Sequence, residues 1–223
     1  MRFGLALPSF AYDDERVKII DWTLRSLAKT NVEGLERPVL DITHGVSAFS
    51  YEPYMGALSQ KFEARTLPDP PDIRKPDRMH YIVTASALRL LNDHPDVTHI
   101  CCLVDDYIYN PEWLHQLEAL IARHPTETRA WSVFRSRYTE YHRIVGGDGV
   151  DVLMSMHDSI GCMTREEMFE FCKNGYVAAP DIGHAQQRPG PRWATSRDYM
   201  ENVGRHVAMG IADVDCAIDF VGE

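Results

Sequence analysis

The chain has 223 residues, of which 44% are hydrophobic and 25% charged, and a formal net charge of −10. That length suits one α/β domain with a sizeable core, and the apolar content argues against disorder. The acidic balance argues against a generic electrostatic grip on nucleic acid or on anionic membranes, both of which need Lys and Arg to meet phosphate.

The opening MRFGLALPSF has one Arg and a short apolar run broken by Pro8. It is a poor signal peptide and a good first strand over Phe3 to Leu7. Val17, Ile20, Leu24 and Leu27 follow helical spacing after Asp13 and Asp14, which suit an N-cap. Pro38 to Ile42 reads as a short second strand closing at Asp41. Residues 43 to 64 give no clear pattern. Residues 66 to 77, TLPDPPDIRKPD, hold four prolines and read as loop. Ile82, Ala85, Leu88 and Leu91 predict a helix before the next strand. Further on, Ala130 to Phe134 and Val150 to Met154 read as strands around a Gly146–Gly149 turn. Thr164 and Glu167 form a Thr-x-x-Glu capping box, so a helix starts near Arg165. Ala178 to Trp193 carries three Pro, two Gly and two Arg and reads as loop. Arg188 and Arg192 in it suit phosphate oxygens. No apolar run approaches the ~18 residues of a membrane span. The five Cys are an odd number without metal-ligand spacing, which fits a reducing, cytoplasmic setting.

The richest stretch is Thr98 to Leu114, THICCLVDDYIYNPEWL. His99 to Val104 reads as a buried central strand. Asp105 and Asp106 stand where it leaves the sheet, and Asn110 and Pro111 signal the start of a helix. Ligands of open α/β sheets bind at the carboxyl ends of strands. Two adjacent carboxylates there repel each other unless a cation or donor lies between them. The plain alternative is a solvated Asp-Asp turn.

This stretch resembles the metal-binding region of nucleotide-sugar glycosyltransferases with a GT-A fold. In these, a DxD or Glu-Asp-Asp element follows a hydrophobic strand and precedes a Pro and an aromatic or Leu-rich helix. Val104-Asp105-Asp106 aligns with the Glu-Asp-Asp form, with Val104 in place of the first acid. Against an Asp-Asp-Asp form, Tyr107 replaces the last. The resemblance implies an α/β, GT-A (Rossmann-like) mixed, mainly parallel central sheet flanked by helices, in one domain over residues 1–223. It makes Asp106 the direct ligand of Mn²⁺ or Mg²⁺ and puts Asp105 near the ribose or the metal waters. Leu7-Pro8-Ser9 resembles the stretch lining the nucleotide base pocket. Asp41 matches an acid that contacts uracil, which favours a UDP-sugar donor.

Met156 to Cys172 resembles the acceptor-side element, with Asp158 and Gly161 on the sugar side and Cys162 where relatives carry an aromatic. Ser196 to Gly210 resembles the Glu-Asp-aromatic element of family 2 glycosyltransferases and Golgi N-acetylglucosaminyltransferases. There Asp198 matches the general base and Tyr199 the aromatic, while Arg197 replaces the first acid. His184 or His206 matches the His that completes the metal site in some relatives. The implied activity is inverting, metal-dependent sugar transfer from a nucleoside diphosphate sugar to an unidentified hydroxyl acceptor. Two rivals follow. One is a binding protein of this fold that has lost the chemistry, as Val104, Tyr107 and Arg197 suggest. The other is a nucleotidyltransferase, disfavoured because Ser9 to Arg16, SFAYDDER, is acidic and lacks a Gly-rich phosphate loop.

Overall fold

The computed structural model describes residues 1–45, 47–68, 78–123, 128–132, 143–144, 153–154, 162–169, 208–211 and 217–219. Its first half alternates strands and helices. β1 (Phe3–Ser9) leads to α1 (Asp14–Leu27), β2 (Val39–His44), α2 (Glu52–Ser59), β3 (Glu63–Pro68), α3 (Arg78–Asp93) and β4 (His99–Cys102). A short strand β5 (Tyr107–Tyr109), α4 (Trp113–Arg123) and β6 (Thr128–Ser132) follow. The later strands are β7 (Arg143–Ile144), β8 (Leu153–Met154), β9 (Cys162–Thr164), β10 (Ala208–Ile211) and β11 (Ala217–Asp219).

Seven strands form one sheet in the order β10-β6-β9-β4-β1-β2-β3. The pairs β1–β2, β1–β4, β2–β3 and β10–β6 are parallel, and β9 runs antiparallel to both neighbours. This is the mixed, mainly parallel sheet expected from the sequence. β1 is the first strand yet sits inside the sheet. The chain moves from it to β2 and β3 on one side, then crosses to β4 on the other. The carboxyl ends of β1 and β4 therefore flank a topological switch point, where such sheets open a crevice.

Helices cover both faces. Leu5, Leu7, Leu40, Ile42, Cys101 and Leu103 pack with Ile20, Leu24 and Leu27 of α1, Leu58 of α2, and Trp113, Leu114 and Leu117 of α4. On the other face Ala6, Val39, Ile100 and Cys102 pack with Ala87, Leu90 and Leu91 of α3 and with Met163 and Met168. The alternation between faces follows the period of two along each strand. Gly4 allows α3 to approach closely, since a Cβ there would stand 2.4 Å from Leu90 Cδ2 and 2.9 Å from Val97 Cγ1.

Four sequence expectations change. β1 extends to Ser9, through Pro8. Gly4 to Ala6 pair with both β2 and β4, whereas Pro8 and Ser9 pair only with β2, so the missing N–H of Pro8 breaks no ladder on the β4 side. β2 extends to His44, so Asp41 lies in mid-strand rather than at its end. Residues 66–68, read as loop, belong to edge strand β3, where a proline is tolerated. The Asp-Asp pair also does not run straight into the helix. β5 intervenes and pairs antiparallel with β11.

Candidate active site

Asp13 caps α1, its Oδ1 accepting from the Arg16 backbone N–H at 2.7 Å. The cap fixes the first turn of the helix beside the end of β1. It also brings the Arg16 side chain toward the end of β4. There the Arg16 guanidinium forms a close ion pair with Asp105 Oδ1 and donates to Asp106 Oδ2 at 3.3 Å. The other Asp105 oxygen accepts from the Phe10 backbone N–H at 2.8 Å. Asp105 is therefore buried and holds the β1–α1 loop against β4. Asp106 is the more accessible of the two, its side chain 25% exposed against 6% for Asp105.

Burial opposes the charge on Arg16, but the neighbouring Asp105 and Asp106 outweigh it and raise its pKa above the ordinary value. Its Nε–H is buried without a hydrogen-bond partner among the described residues. A cation in a first helical turn also meets the unfavourable end of the helix dipole. The two carboxylates are what make this placement tenable.

The turn carrying the acids and the start of α4 are held by polar side chains of α1 and of the segment just after it. Thr23 Oγ1 donates to the Asp105 carbonyl at 3.0 Å, Ser26 Oγ accepts from Tyr109 N at 3.0 Å, and Thr30 Oγ1 accepts from Trp113 Nε1 at 3.0 Å. Thr23 and Ser26, three residues apart, share one face of α1, and Thr30 follows the end of the helix. The Tyr109 hydroxyl closes the turn, accepting from Val104 N and donating to Val104 O, each at 3.1 Å. Its burial pushes the phenol pKa well up, so it stays a neutral donor. Asn110 Oδ1 accepts from Glu112 N at 2.9 Å, the cap read from the sequence.

An aromatic group stands beside the acids, around the ends of β1 and β2. Tyr51 donates to Ser9 Oγ at 2.8 Å. Its ring lies 4.8 Å from that of His44, and Phe49 packs edge-on against it at 4.8 Å. The rings of Phe10 and Tyr12, on the β1–α1 loop, lie 5.6 Å apart and tilted at 50°. Ser9 is thus tied to Tyr51 at the end of β1, and Pro8 precedes it in the strand.

Asp41 is placed differently from the expectation. It is fully buried on the α3 face, and Arg65 binds both its oxygens, at 2.6 and 2.8 Å. Arg65 also donates to Asp93 at 2.7 Å. The residue at the carboxyl end of β2 is His44. Asp158, Gly161, Arg188, Arg192, Asp198, Tyr199, His184 and His206 lie outside the described residues. After β9, Thr164 Oγ1 accepts from Glu167 N at 3.3 Å, as the capping box requires.

Among the described residues no group of three or more His, Cys, Asp or Glu converges on one point. A cavity of about 580 Å³ lies along the outer side of α1, lined by Trp22, Arg25, Lys29, Ile108 and Pro111 among others. It includes neither Asp105 nor Asp106. No helix of the described residues is long and apolar enough to cross a membrane.

No protein-family model matches the chain. No curated protein matches it either. Solved structures do. A crystal structure of S. aureus TarS, a glycosyltransferase, superimposes with a TM-score of 0.60 at 11% identity, covering 99% of this chain and 37% of that one. A TarS 1-349 structure in complex with UDP gives 0.57 at 12% identity, covering 97% of this chain and 60% of that one. The same TarS segment in complex with UDP-GlcNAc gives 0.54 at 11% identity, with 97% and 58% covered. The chain has the fold of these glycosyltransferases and spans 37% to 60% of their lengths.

Proposed function

We propose that this chain is a glycosyltransferase of the GT-A type that moves a sugar from a nucleoside diphosphate sugar, with UDP as the favoured nucleotide, to an acceptor hydroxyl. The observation that carries this reading is the placement of Asp105 and Asp106. They leave β4 beside β1, at the switch point of a sheet whose fold neighbours hold UDP and UDP-GlcNAc. Ser9 and the aromatic rings of His44, Phe49 and Tyr51 border the same end of the sheet and suit a nucleoside base.

In this reading the acceptor hydroxyl attacks the anomeric carbon, the nucleoside diphosphate leaves, and Asp198 takes the hydroxyl proton with inversion. Asp106, the more accessible carboxylate, would hold Mn²⁺ or Mg²⁺, with His206 as a further ligand. Such an ion offsets charge on the leaving diphosphate. Asp105 keeps the loop of Phe10 in place at the donor side. Arg188 and Arg192 meet the diphosphate, and Asp158, Gly161 and Tyr199 stand on the sugar and acceptor side.

The test is acceptor-dependent release of UDP from UDP-GlcNAc and other UDP-sugars, across a panel of hydroxyl acceptors, with Mn²⁺ present. Release that disappears in Asp106→Asn supports the proposal. Release from no donor speaks against it. One observation favours a second reading, a nucleotide-sugar-binding protein without turnover. Asp105 is fully engaged by Arg16 and Phe10, which leaves a lean set of acids for catalysis. Donor binding with no turnover under any acceptor would decide for that reading.

A further inference from the structure

We propose that Cys101 and Cys162 form a reversible disulfide site, a redox latch between β4 and β9 that lies just behind the acid turn and weakens nucleotide binding when closed. The latch stands on the ladder geometry. Its effect on nucleotide rests on the reading of this end of the sheet as the donor site.

Three observations carry it. First, the two residues face each other in the antiparallel β4–β9 ladder. Arg165 N–H donates to Thr98 O at 2.8 Å, which makes Thr98 and Arg165 a hydrogen-bonded pair. Alternation along the ladder then makes Cys101 and Cys162 a non-hydrogen-bonded pair, the kind whose side chains stand closer. The parallel ladder agrees. Leu103 N–H donates to Ala6 O, so Cys101, two residues back, also turns its backbone groups to β1 rather than to β9. Second, both thiols are free, buried in one apolar cluster and joined by a hydrogen bond. The adjacent Cys102 packs in the other cluster, with Ala6 and Met163. Third, this pair is the last rung of the β4–β9 ladder, and Cys162 is also the end of the pairing between β9 and β6.

The Cα atoms of such a pair stand about 4.5 Å apart, within the range of about 4.4–6.8 Å that a disulfide spans. The Cβ atoms, about 4.5–5.5 Å apart in an open pair, must draw in to about 4 Å. That strain keeps the bond easy to reduce, and it falls on β4 four residues before Asp105. Burial, then the neighbouring thiol, pushes the Cys101 thiol well above its ordinary pKa. Cys101 therefore keeps its proton, and Cys162 supplies the attacking sulfur. Fraying of a last rung admits a small oxidant without unpairing the rest of the strand. With hydrogen peroxide, the Cys162 sulfur attacks one oxygen and the O–O bond breaks. Cys162 becomes a sulfenic acid and one water leaves. The Cys101 sulfur then displaces the hydroxyl, which forms the S–S bond and a second water. The two thiols lose two hydrogens, and the peroxide takes up the two electrons. A dithiol reverses the bond by exchange.

The test treats the whole chain with hydrogen peroxide, removes the peroxide, and maps disulfides by mass spectrometry of a non-reducing tryptic digest. Trypsin leaves Cys162 in peptide 144–165 and Cys101 with Cys102 in peptide 90–123. A link between these two peptides is expected, which dithiothreitol removes. Fragment ions that part residue 101 from residue 102 should place it on Cys101 in wild type, and Cys102→Ala should keep it. No link in the native protein, a link that forms only after denaturation, or a link on Cys102 overturns the proposal.

The consequence is read as the rise that UDP, with Mn²⁺ in the buffer, causes in the unfolding midpoint. The rise is compared within each redox form, so the effect of the disulfide on stability itself cancels. It should shrink on oxidation and return with dithiothreitol, and peroxide should leave it unchanged in Cys162→Ala. An equal rise in both forms of wild type, with the link in place, overturns the latch as a control of the site. No rise in either form, with the link in place, counts against the donor-site reading and leaves the disulfide site standing.

Discussion

Two arginine–aspartate pairs anchor this fold, and they differ in what they leave exposed. Arg65 reaches in from edge strand β3 to the fully buried Asp41 and bridges onward to Asp93 of α3. Its side chain remains 34% exposed, so water meets the cation while the anion is sealed. Hydrogen bonds donated to Asp41 hold the Arg65 guanidinium above the ordinary pKa, against partial burial. Arg16 is the reverse: the cation is enclosed, and the second acid it touches, Asp106, is the one that remains accessible. The first pair ties strands to a helix and presents no functional group. The second secures a loop and presents a carboxylate at the switch point. An acid matched by position to a family motif is thus informative only once its partners are known.

Four experiments sharpen that contrast. The largest effect is expected for Arg65→Ala. It leaves Asp41 buried without its partner, and breaking such a pair costs about 3–5 kcal/mol. Urea denaturation should show this, and Asp41→Leu with Arg65→Met should recover most of it. If Arg65→Ala is neutral, the pair is not what seals this edge.

Asp106→Asn should instead spare stability, within about 1 kcal/mol as for other accessible positions. It should lower sugar transfer by about a hundredfold, close to 2.7 kcal/mol of barrier. A large loss of stability would place Asp106 in the same class as Asp41. Tyr109→Phe removes both bonds to Val104 and should cost about 1–2 kcal/mol, with the larger relative effect on donor affinity because the acid turn loosens. Equal donor affinity in that variant would separate the turn from the site.

The smallest effect concerns the α1–α2 contact, where Tyr54 donates to Asp21 Oδ1 at 2.5 Å. Burial, then this hydrogen bond, pushes the Tyr54 phenol up from 10.0 to about 12. The native state therefore holds this proton more tightly than the unfolded chain. The resulting stabilisation is present below pH 10 and is lost as pH rises through about 12. Ultraviolet titration should find a tyrosine ionising in that range, and Tyr54→Phe should remove that step.

Much of the fold was legible because it rests on local signals. Asp13 caps α1, Thr164 caps the helix after β9, and the apolar spacing of residues 82 to 91 gives α3. The acid pair was legible because a strongly apolar strand precedes it. Residues 43 to 68 were not. β3 is an edge strand with exposed and half-buried positions throughout, and α2 is only eight residues long with Leu58 its one buried position. Neither carries a strong hydrophobic period. The partners of the acids were invisible for a different reason. Arg65 lies 24 positions from Asp41, and Arg16 lies 89 from Asp105, so only the sheet topology brings them together. Arg16 also sits in a segment whose acidity hides its one cation. The one available hint was a cation in the first turn of a helix, the wrong end for the dipole. Likewise Thr23, Ser26 and Thr30 are too small and polar to register in an apolar pattern.

The central claim is that the carboxyl ends of β1 and β4 bind a nucleoside diphosphate sugar through a site that includes Asp106. Its most direct test is the thermal unfolding midpoint of wild type and Asp106→Asn with UDP and UDP-GlcNAc, each with and without Mn²⁺. A ligand that binds only the native state raises the midpoint by mass action. The account predicts a rise with UDP or UDP-GlcNAc that grows with Mn²⁺ in wild type, and loss of the Mn²⁺-dependent part in Asp106→Asn. No shift in wild type with any nucleoside diphosphate, under either metal condition, would contradict it.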